Sequence, residues 1–374
     1  MDLKKFNYPN LSKLTIVIIT LNRKKFILRT MNYWSGSNIK LLVVDGSKSP
    51  IEDHILRKFS NNITYFHQPY SGHQRVLFAL KLVQTEFVIL GSDDEYFVPS
   101  ALNSCVETLQ QDKELAACIG RAVKFNFKNN QMTGKDVYSI LKNYKLLDDD
   151  PMIRIKKLFR NFMPFHCHAV CRSNFWKIAW EYACFKEYNF YGSGEYFFEF
   201  LMAFSNKSKS IPVFMWFRSD ENESIRGQGP ALTLGYEIQD WWYDKKYKEE
   251  KKDYLNRIEV ACSKISEINK KNYIADVIGG HEILINFCKN RSKLFKVGLF
   301  SYPLNLLHSI FQQLPDFITT PIKSIVRYFG FKFGKSYELP FFDQLKVLEK
   351  EGVKIDYDEV QQIEKEIKLF YLSK

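Results

Sequence analysis

The stretch Phe87-Val88-Ile89-Leu90-Gly91-Ser92-Asp93-Asp94-Glu95 decides how this chain is read. A short apolar run of this kind marks a strand buried on both faces of a parallel sheet, and here it ends in three consecutive carboxylates. In open α/β sheets, ligands bind at the carboxyl ends of the strands. Carboxylates fixed at that edge suit a hard divalent cation and the phosphates it neutralises. The competing reading of Asp93-Asp94-Glu95 is a solvated turn before the helix that Pro99 starts.

Upstream, strand and helix patterns alternate through the first ~120 residues, the mark of βαβ units. Residues 14–20 are β-branched and apolar and predict the first strand; 39–45 predict the second, closed by Gly46-Ser47. Residues 63–66 and 86–91 complete the strands. Helices are expected from about 22 to 34, over 51–59 and over 72–84. Beyond Leu115 the pattern mixes: one or two strands over 116–127, a loop at Asp148-Asp149-Asp150-Pro151, a strand over 165–171, and a helix capped by Ser173. A Gly192-Ser193-Gly194 loop then leads into a helix from Glu195 to Phe204, followed by a strand over 211–217. Residues 241–274 are long, charged and helical, and 291–335 are basic with interleaved apolar residues.

The chain has 374 residues, 45% of them apolar, with 32 Phe, enough for a sizeable core and against global disorder. Its net charge of +12 favours an anionic partner, although a lysine-rich coding bias produces the same composition. Seven scattered Cys read as reduced thiols. Residues 1–7 lack the apolar core of a signal peptide, and no run reaches the roughly 18 apolar residues of a membrane span. A cytoplasmic protein is expected, at most peripheral on the inner face of the cell membrane.

The order Leu14–Thr20 with Asn22-Arg23, then Val43-Val44-Asp45-Gly46-Ser47, then Phe87–Leu90 with Ser92-Asp93-Asp94 resembles the GT-A nucleotide-sugar-dependent glycosyltransferases, especially family 2-like bacterial enzymes of surface polysaccharide synthesis. The resemblance is clear over about 12–120 and weaker to about 220. It implies an α/β fold, a Rossmann-like, mostly parallel central sheet flanked by helices, with a mainly helical C-terminal extension. A catalytic domain would occupy 1–225, its nucleotide-sugar half about 12–120 and its acceptor half 121–225. The mainly helical remainder, 226–374, would associate with acceptor or membrane.

The same resemblance implies a nucleotide-sugar donor, a UDP-sugar first, and a glycan or lipid-linked acceptor. It places Thr20, Asn22, Arg23, Asp45 and Ser92 beside the nucleotide, with Asp45 at the base. Asp94 and Asp93 become the acidic pair for Mn²⁺ or Mg²⁺, Asp94 foremost, with Asp93 also at the ribose. The triplet reads equally as Ser92-Asp93-Asp94 or Asp93-Asp94-Glu95. An inverting transfer needs a base for the acceptor hydroxyl, and the family keeps a carboxylate late in the domain for it. Glu195, at the entrance of a helix behind a glycine loop, fits that place, and Glu199 lies one turn further. A glutamate there also simply complements a helix dipole.

Chemistry alone adds further candidates. Arg75, Arg218 and Arg226 present planar forks suited to phosphates, although exposed cations are ordinary. Asp45 with Gly46-Ser47 also reads as an Asx turn. His166 and His168 share a strand face and would line the acceptor pocket; with Cys167 and Cys171 their spacing does not make a tetrahedral zinc site. His281 stands alone. Trp241-Trp242-Tyr243 reads as helix packing. The 291–335 segment suits either an anionic lipid surface or a packed helix. Rival readings are a sugar-phosphate nucleotidyltransferase, which the glycine-free Thr20-Leu21-Asn22-Arg23 disfavours, and a non-catalytic basic protein binding nucleic acid or membrane. Nucleic acid is not the expected partner.

Overall fold

The computed structural model describes residues 6, 8–160, 162–190, 192–221, 238–269, 279–280, 282–286 and 338–372. Strands β1 (Leu14–Thr20), β2 (Lys40–Asp45), β3 (Ile63–His67) and β4 (Phe87–Gly91) pair in parallel, in the order β4-β1-β2-β3. β1 is buried along nearly its whole length. Its Leu, Ile and Val side chains pack on both faces, as a sheet covered on two sides requires. Register sets Thr20 beside Asp45 and Ile18 beside Gly91. The ends of three strands therefore lie side by side at one edge.

Helices connect these strands. α1 (Lys24–Trp34) buries Ile27, Met31 and Trp34 against the sheet. α2 (Asp53–Leu56) is only one turn, shorter than the 51–59 expectation, because none of its residues is buried. α3 (Gly72–Leu82) starts with a reciprocal capping box between Ser71 and Gln74. After the two-residue β5 (Tyr96–Phe97), α4 (Pro99–Gln111) begins at its proline, where a missing N–H costs nothing.

The second half of the sheet is mixed. β6 (Leu115–Lys128) is a single long strand that turns through Asn129-Asn130, both at positive φ, into β7 (Gln131–Val137). β8 (Lys145–Leu146) is a short edge piece. The Asp-Pro loop caps an unforeseen helix, α5 (Pro151–Arg160), with Asp150 accepting from the Met152 N–H at 2.7 Å. The strand expected over 165–171 is instead a 3-10 turn, His166–His168, followed by the short β9 (Val170–Arg172). A carboxylate takes the Phe165 and His166 N–H groups that a ladder would need.

Ser173 is the first residue of α6 (Ser173–Ala183) rather than its cap. Its N–H donates to the Glu86 carbonyl at 3.0 Å. α7 (Ser193–Ser205) enters through Gly192 at φ +76°, a conformation glycine adopts without strain. It leads into β10 (Lys207–Ser219), parallel to β6 and antiparallel to β5.

Then come α8 (Ile238–Tyr243) and α9 (Lys248–Asn269). Trp241 is fully buried, with Tyr188 edge-on to it and Phe190 tilted against it, as packing predicted. The strand Leu339–Pro340 adds to β7, the helix Phe341–Lys350 packs on β7, and the helix Tyr357–Leu372 packs on α1. Phe341, Leu345 and Val360 belong to the same apolar core as β1 and β6. Among the described residues, all strands join one sheet, and no helix is long and apolar enough to cross a membrane.

Candidate functional site

The acidic tip is held from several sides. Thr20 Oγ1 donates to Asp93 Oδ2 at 2.6 Å, across neighbouring strand ends. Thr30 Oγ1 donates to the Asp93 carbonyl at 2.6 Å, and Arg29 Nη2 to the Asp94 carbonyl at 3.0 Å. Burial pushes the Asp93 carboxyl up to about 6 despite the nearby Arg23 guanidinium, with Asp94 adding to the rise. Glu95 faces elsewhere: it accepts the Trp216 indole N–H at 2.9 Å, and burial with the Asp94 charge pushes it up to about 8. Ser92 hydrogen-bonds Glu95. The tip thus separates an acidic pair, Asp93 and Asp94, from a third carboxyl turned toward the aromatic core.

Arg23 closes on that pair. Its Nη1 lies 2.7 Å from Asp93 Oδ1 and its Nη2 2.6 Å from Asp94 Oδ2. The turn that aims it contains Asn22 at φ 56°, whose N–H donates to Ser47 Oγ at 2.7 Å.

Asp45 forms the Asx turn that its sequence allowed. Its Oδ1 accepts the Ser47 N–H at 2.8 Å and the Ser47 hydroxyl, and its Oδ2 accepts the Tyr65 phenol at 2.7 Å. Arg75 lies buried beside it, donating to the Thr20 carbonyl and, at 3.4 Å, to the Ser71 carbonyl. Burial lowers the Arg75 pKa, and the Asp45 and Asp93 charges offset part of that. Gly46 makes the seat: a Cβ there would lie 2.6 Å from Arg75 Cζ. Thr20, Asn22, Arg23, Asp45, Arg75, Asp93 and Asp94 are therefore brought together.

The candidates further along the chain divide differently. Glu199 is buried within the protein, accepting the N–H groups of Phe165 at 2.8 Å and His166 at 2.7 Å and the His166 ring Nδ1–H. The other ring nitrogen meets Tyr144 Oη at 2.9 Å and Ser208 Oγ at 3.0 Å. His166 and Glu199 thus form an interior network, each side chain only 1% exposed. Both residues, expected at the acceptor, are held in the interior by those partners.

His168 is separate from His166. It is partly buried, its ring 4.6 Å from Trp216, with Nδ1–H donating to the Leu90 carbonyl at 3.0 Å. Burial pushes its pKa down to about 4. Tyr138 stacks on Trp216 at 5.4 Å, and Arg218 lies over the Tyr138 ring at 5.4 Å. Tyr138 feels the charges of both Glu95 and Glu195. Glu195 sits half-buried in the first turn of α7. The Tyr138–Trp216–His168–Arg218 cluster therefore joins the acidic tip to the α7 entrance.

Asp93 and Asp94 are hard oxygen donors that suit Mg²⁺ or Mn²⁺, an ion that keeps water and takes substrate phosphate oxygens as its remaining ligands. Among the described residues no group of three or more His, Cys, Asp or Glu converges on a metal position. With Arg23 on both carboxylates, the pair could hold such an ion only once the guanidinium moves aside and substrate oxygens complete the ligand set. Arg226, His281 and the 291–335 segment lie outside the described residues.

Sequence reasoning passed over Tyr65, Tyr138, Arg29 and Glu221. Arg29 pairs with Glu221 at 2.9 and 2.7 Å, both side chains almost fully buried, and lies 4.5 Å from the Phe370 ring centroid. The available signal was a charged residue on the buried face of an apolar helix.

Residues 15–179 match the family model described as glycosyl transferase family 2. No curated protein matches the sequence. Among solved structures, S. aureus TarS is 14% identical over 73% of this chain and 42% of that one, with a TM-score of 0.44. The chain thus spans less than half the length of that protein. TarS 1-349 in complex with UDP-GlcNAc is 14% identical over 81% of this chain and 82% of that one, at 0.46. The mannosyltransferase PcManGT from Pyrobaculum calidifontis, in complex with GDP-Man and Mn²⁺, is 16% identical over 29% and 34%, at 0.24. The family match thus takes in less than half of the chain, and it spans the parallel strands β1 to β4 of the mostly parallel, helix-flanked sheet described above.

Proposed function

We propose that the chain transfers a sugar from a nucleotide-sugar donor, a UDP-sugar, to a hydroxyl of a glycan or lipid-linked acceptor in bacterial surface polysaccharide synthesis. The reading is of an inverting, metal-assisted enzyme working at the cytoplasmic face of the membrane. One observation carries it: Thr20, Asp45, Arg75, Asp93 and Asp94 converge at the carboxyl edge of β1, β2 and β4, inside the segment that matches the family. That edge is where α/β sheets bind ligands.

Transfer releases a nucleoside diphosphate on which negative charge grows. Groups fixed in advance around that charge lower the barrier most. Asp94, with Asp93, would hold Mn²⁺ or Mg²⁺, which supplies Lewis-acid neutralisation of the diphosphate. Asp45, oriented by Ser47 and Tyr65, faces the base, and Arg75 keeps a buried positive charge at the strand ends. On the acceptor side Glu195 takes the proton of the attacking hydroxyl, and attack from the face opposite the leaving group inverts the sugar carbon. Tyr138, half-buried over the fully buried Trp216, would offer a sugar ring an aromatic face on the Glu195 side.

A thermal-shift screen of nucleoside diphosphates with and without Mn²⁺ tests this reading. UDP at a hundred times its dissociation constant with Mn²⁺ present should stabilise the protein by about 2.7 kcal/mol, and the same UDP concentration without the metal should stabilise it less. No shift with any nucleoside diphosphate, metal present, would rule the reading out. Salt-dependent retention on heparin alone would favour a non-catalytic basic protein.

A further inference from the structure

Two arginines meet the acidic tip, and they are built differently. Arg29 is fixed: its side chain is 3% exposed and engages the Glu221 carboxylate through two nitrogens. Arg23 is at the surface, 23% exposed, while the carboxylates it spans are 3% and 11% exposed. Its guanidinium reaches one oxygen of each, at 2.7 and 2.6 Å. The flexible stem lies along the surface, with Cζ 5.1 Å from the Phe26 ring centroid. A planar fork shared by two carboxylates is a strong charge-assisted arrangement. It is also one that a divalent cation cannot share. A second positive centre on the same oxygens meets direct Coulomb repulsion in a half-buried setting.

We infer that Arg23 is the resident cation of the Asp93–Asp94 pair, and that it leaves when a divalent cation and a nucleoside diphosphate arrive together. The diphosphate offers the departing guanidinium oxygen acceptors of the same bidentate kind. Metal uptake is then conditional on donor, and the acidic pair stays partly neutralised while the site waits. This rests on the functional reading above for the identity of the two ligands. The Arg23 geometry itself does not depend on that reading.

The test is Mn²⁺ binding to the full chain, followed by electron paramagnetic resonance of the free ion, with no turnover involved. Arg23→Gln should bind Mn²⁺ alone at least about ten-fold tighter than the unmodified protein. Arg23→Lys, which keeps the charge, should stay near the unmodified value. UDP, after correction for the Mn²⁺–UDP complex, should tighten Mn²⁺ binding about ten-fold in the unmodified protein and far less in Arg23→Gln. Arg23→Met takes the place of Arg23→Gln if the latter loses its cooperative melt. Equal Mn²⁺ affinity in the unmodified protein and the uncharged variant overturns the inference, whatever UDP does. Failure of UDP to bind at all instead overturns the functional reading, and the comparison with Mn²⁺ alone still decides the place of Arg23.

Discussion

Glu199 holds His166 twice, by its backbone N–H at 2.7 Å and by its ring Nδ1. The two residues are 33 positions apart in sequence and almost fully buried. One carboxylate thereby ends the extended chain before β9 and fixes an imidazole between Tyr144 and Ser208.

Glu195 and Glu199, one helical turn apart, should respond in opposite ways to loss of charge. Glu199→Ala strands two backbone donors and a ring donor in the interior, and should cost about 3–5 kcal/mol in urea unfolding. Glu195→Gln should leave the unfolding midpoint unchanged, keep UDP binding, and lower turnover by at least about a hundred-fold. Wild-type turnover in Glu195→Gln would place the base elsewhere.

Asp94→Asn keeps the shape of the acidic tip and removes one charge of the pair. Transfer should fall by about 10²–10³-fold with an unchanged circular-dichroism melt, since stabilisation of the leaving diphosphate is lost. Product release measured at several Mn²⁺ concentrations checks this, and activity within a factor of two of wild type contradicts it.

Arg29→Met leaves Glu221 buried with its principal cation gone. Breaking such a pair from one side costs about 3–5 kcal/mol, whereas Arg29→Met with Glu221→Gln should recover much of it. A double-mutant cycle by chemical denaturation measures the coupling, and additive losses would show that the two residues do not act as a unit.

His168 gives the fold an acid-sensitive component. Burial lowers its pKa to about 4, so the unfolded chain takes up a proton below its ordinary value of about 6.5 that the folded protein refuses. Stability from this group is therefore complete above about 6.5 and declines as the pH falls toward 4, by a total on the order of 3 kcal/mol. His168→Gln should flatten that decline between pH 7 and 4.5 in urea-midpoint measurements. Identical slopes in the two proteins would assign acid lability to other groups.

The sheet edge was legible because its signals are local. β1, β2 and β4 are short apolar runs, and the groups at their ends follow within a few residues of each strand. The convergence of Thr20, Asp45 and Asp93 follows from parallel register, which strand order alone implies. The failures were non-local. Residues 165–171 carry a pattern that alternates well enough for a strand, but the carboxylate that curls them into a turn lies more than thirty residues downstream. Glu199 and Glu195 looked alike at helical spacing, and only the partners of Glu199 tell them apart. Arg29 finds Glu221 across 192 residues, a distance no sequence period reports.

Gly46 lets the Arg75 guanidinium pack directly against the turn, so a Cβ there would meet that side chain rather than rigid backbone. A methyl group placed there meets the far end of a flexible side chain, so the chain can yield by swinging that end aside while the turn keeps its path. The smallest possible enlargement of this turn would then act at a distance, relocating a positive charge from the donor edge while the strands stay where they are. Position 46 is in effect an adjustment screw for the electrostatics of the cleft, and it can be turned without substituting any charged residue.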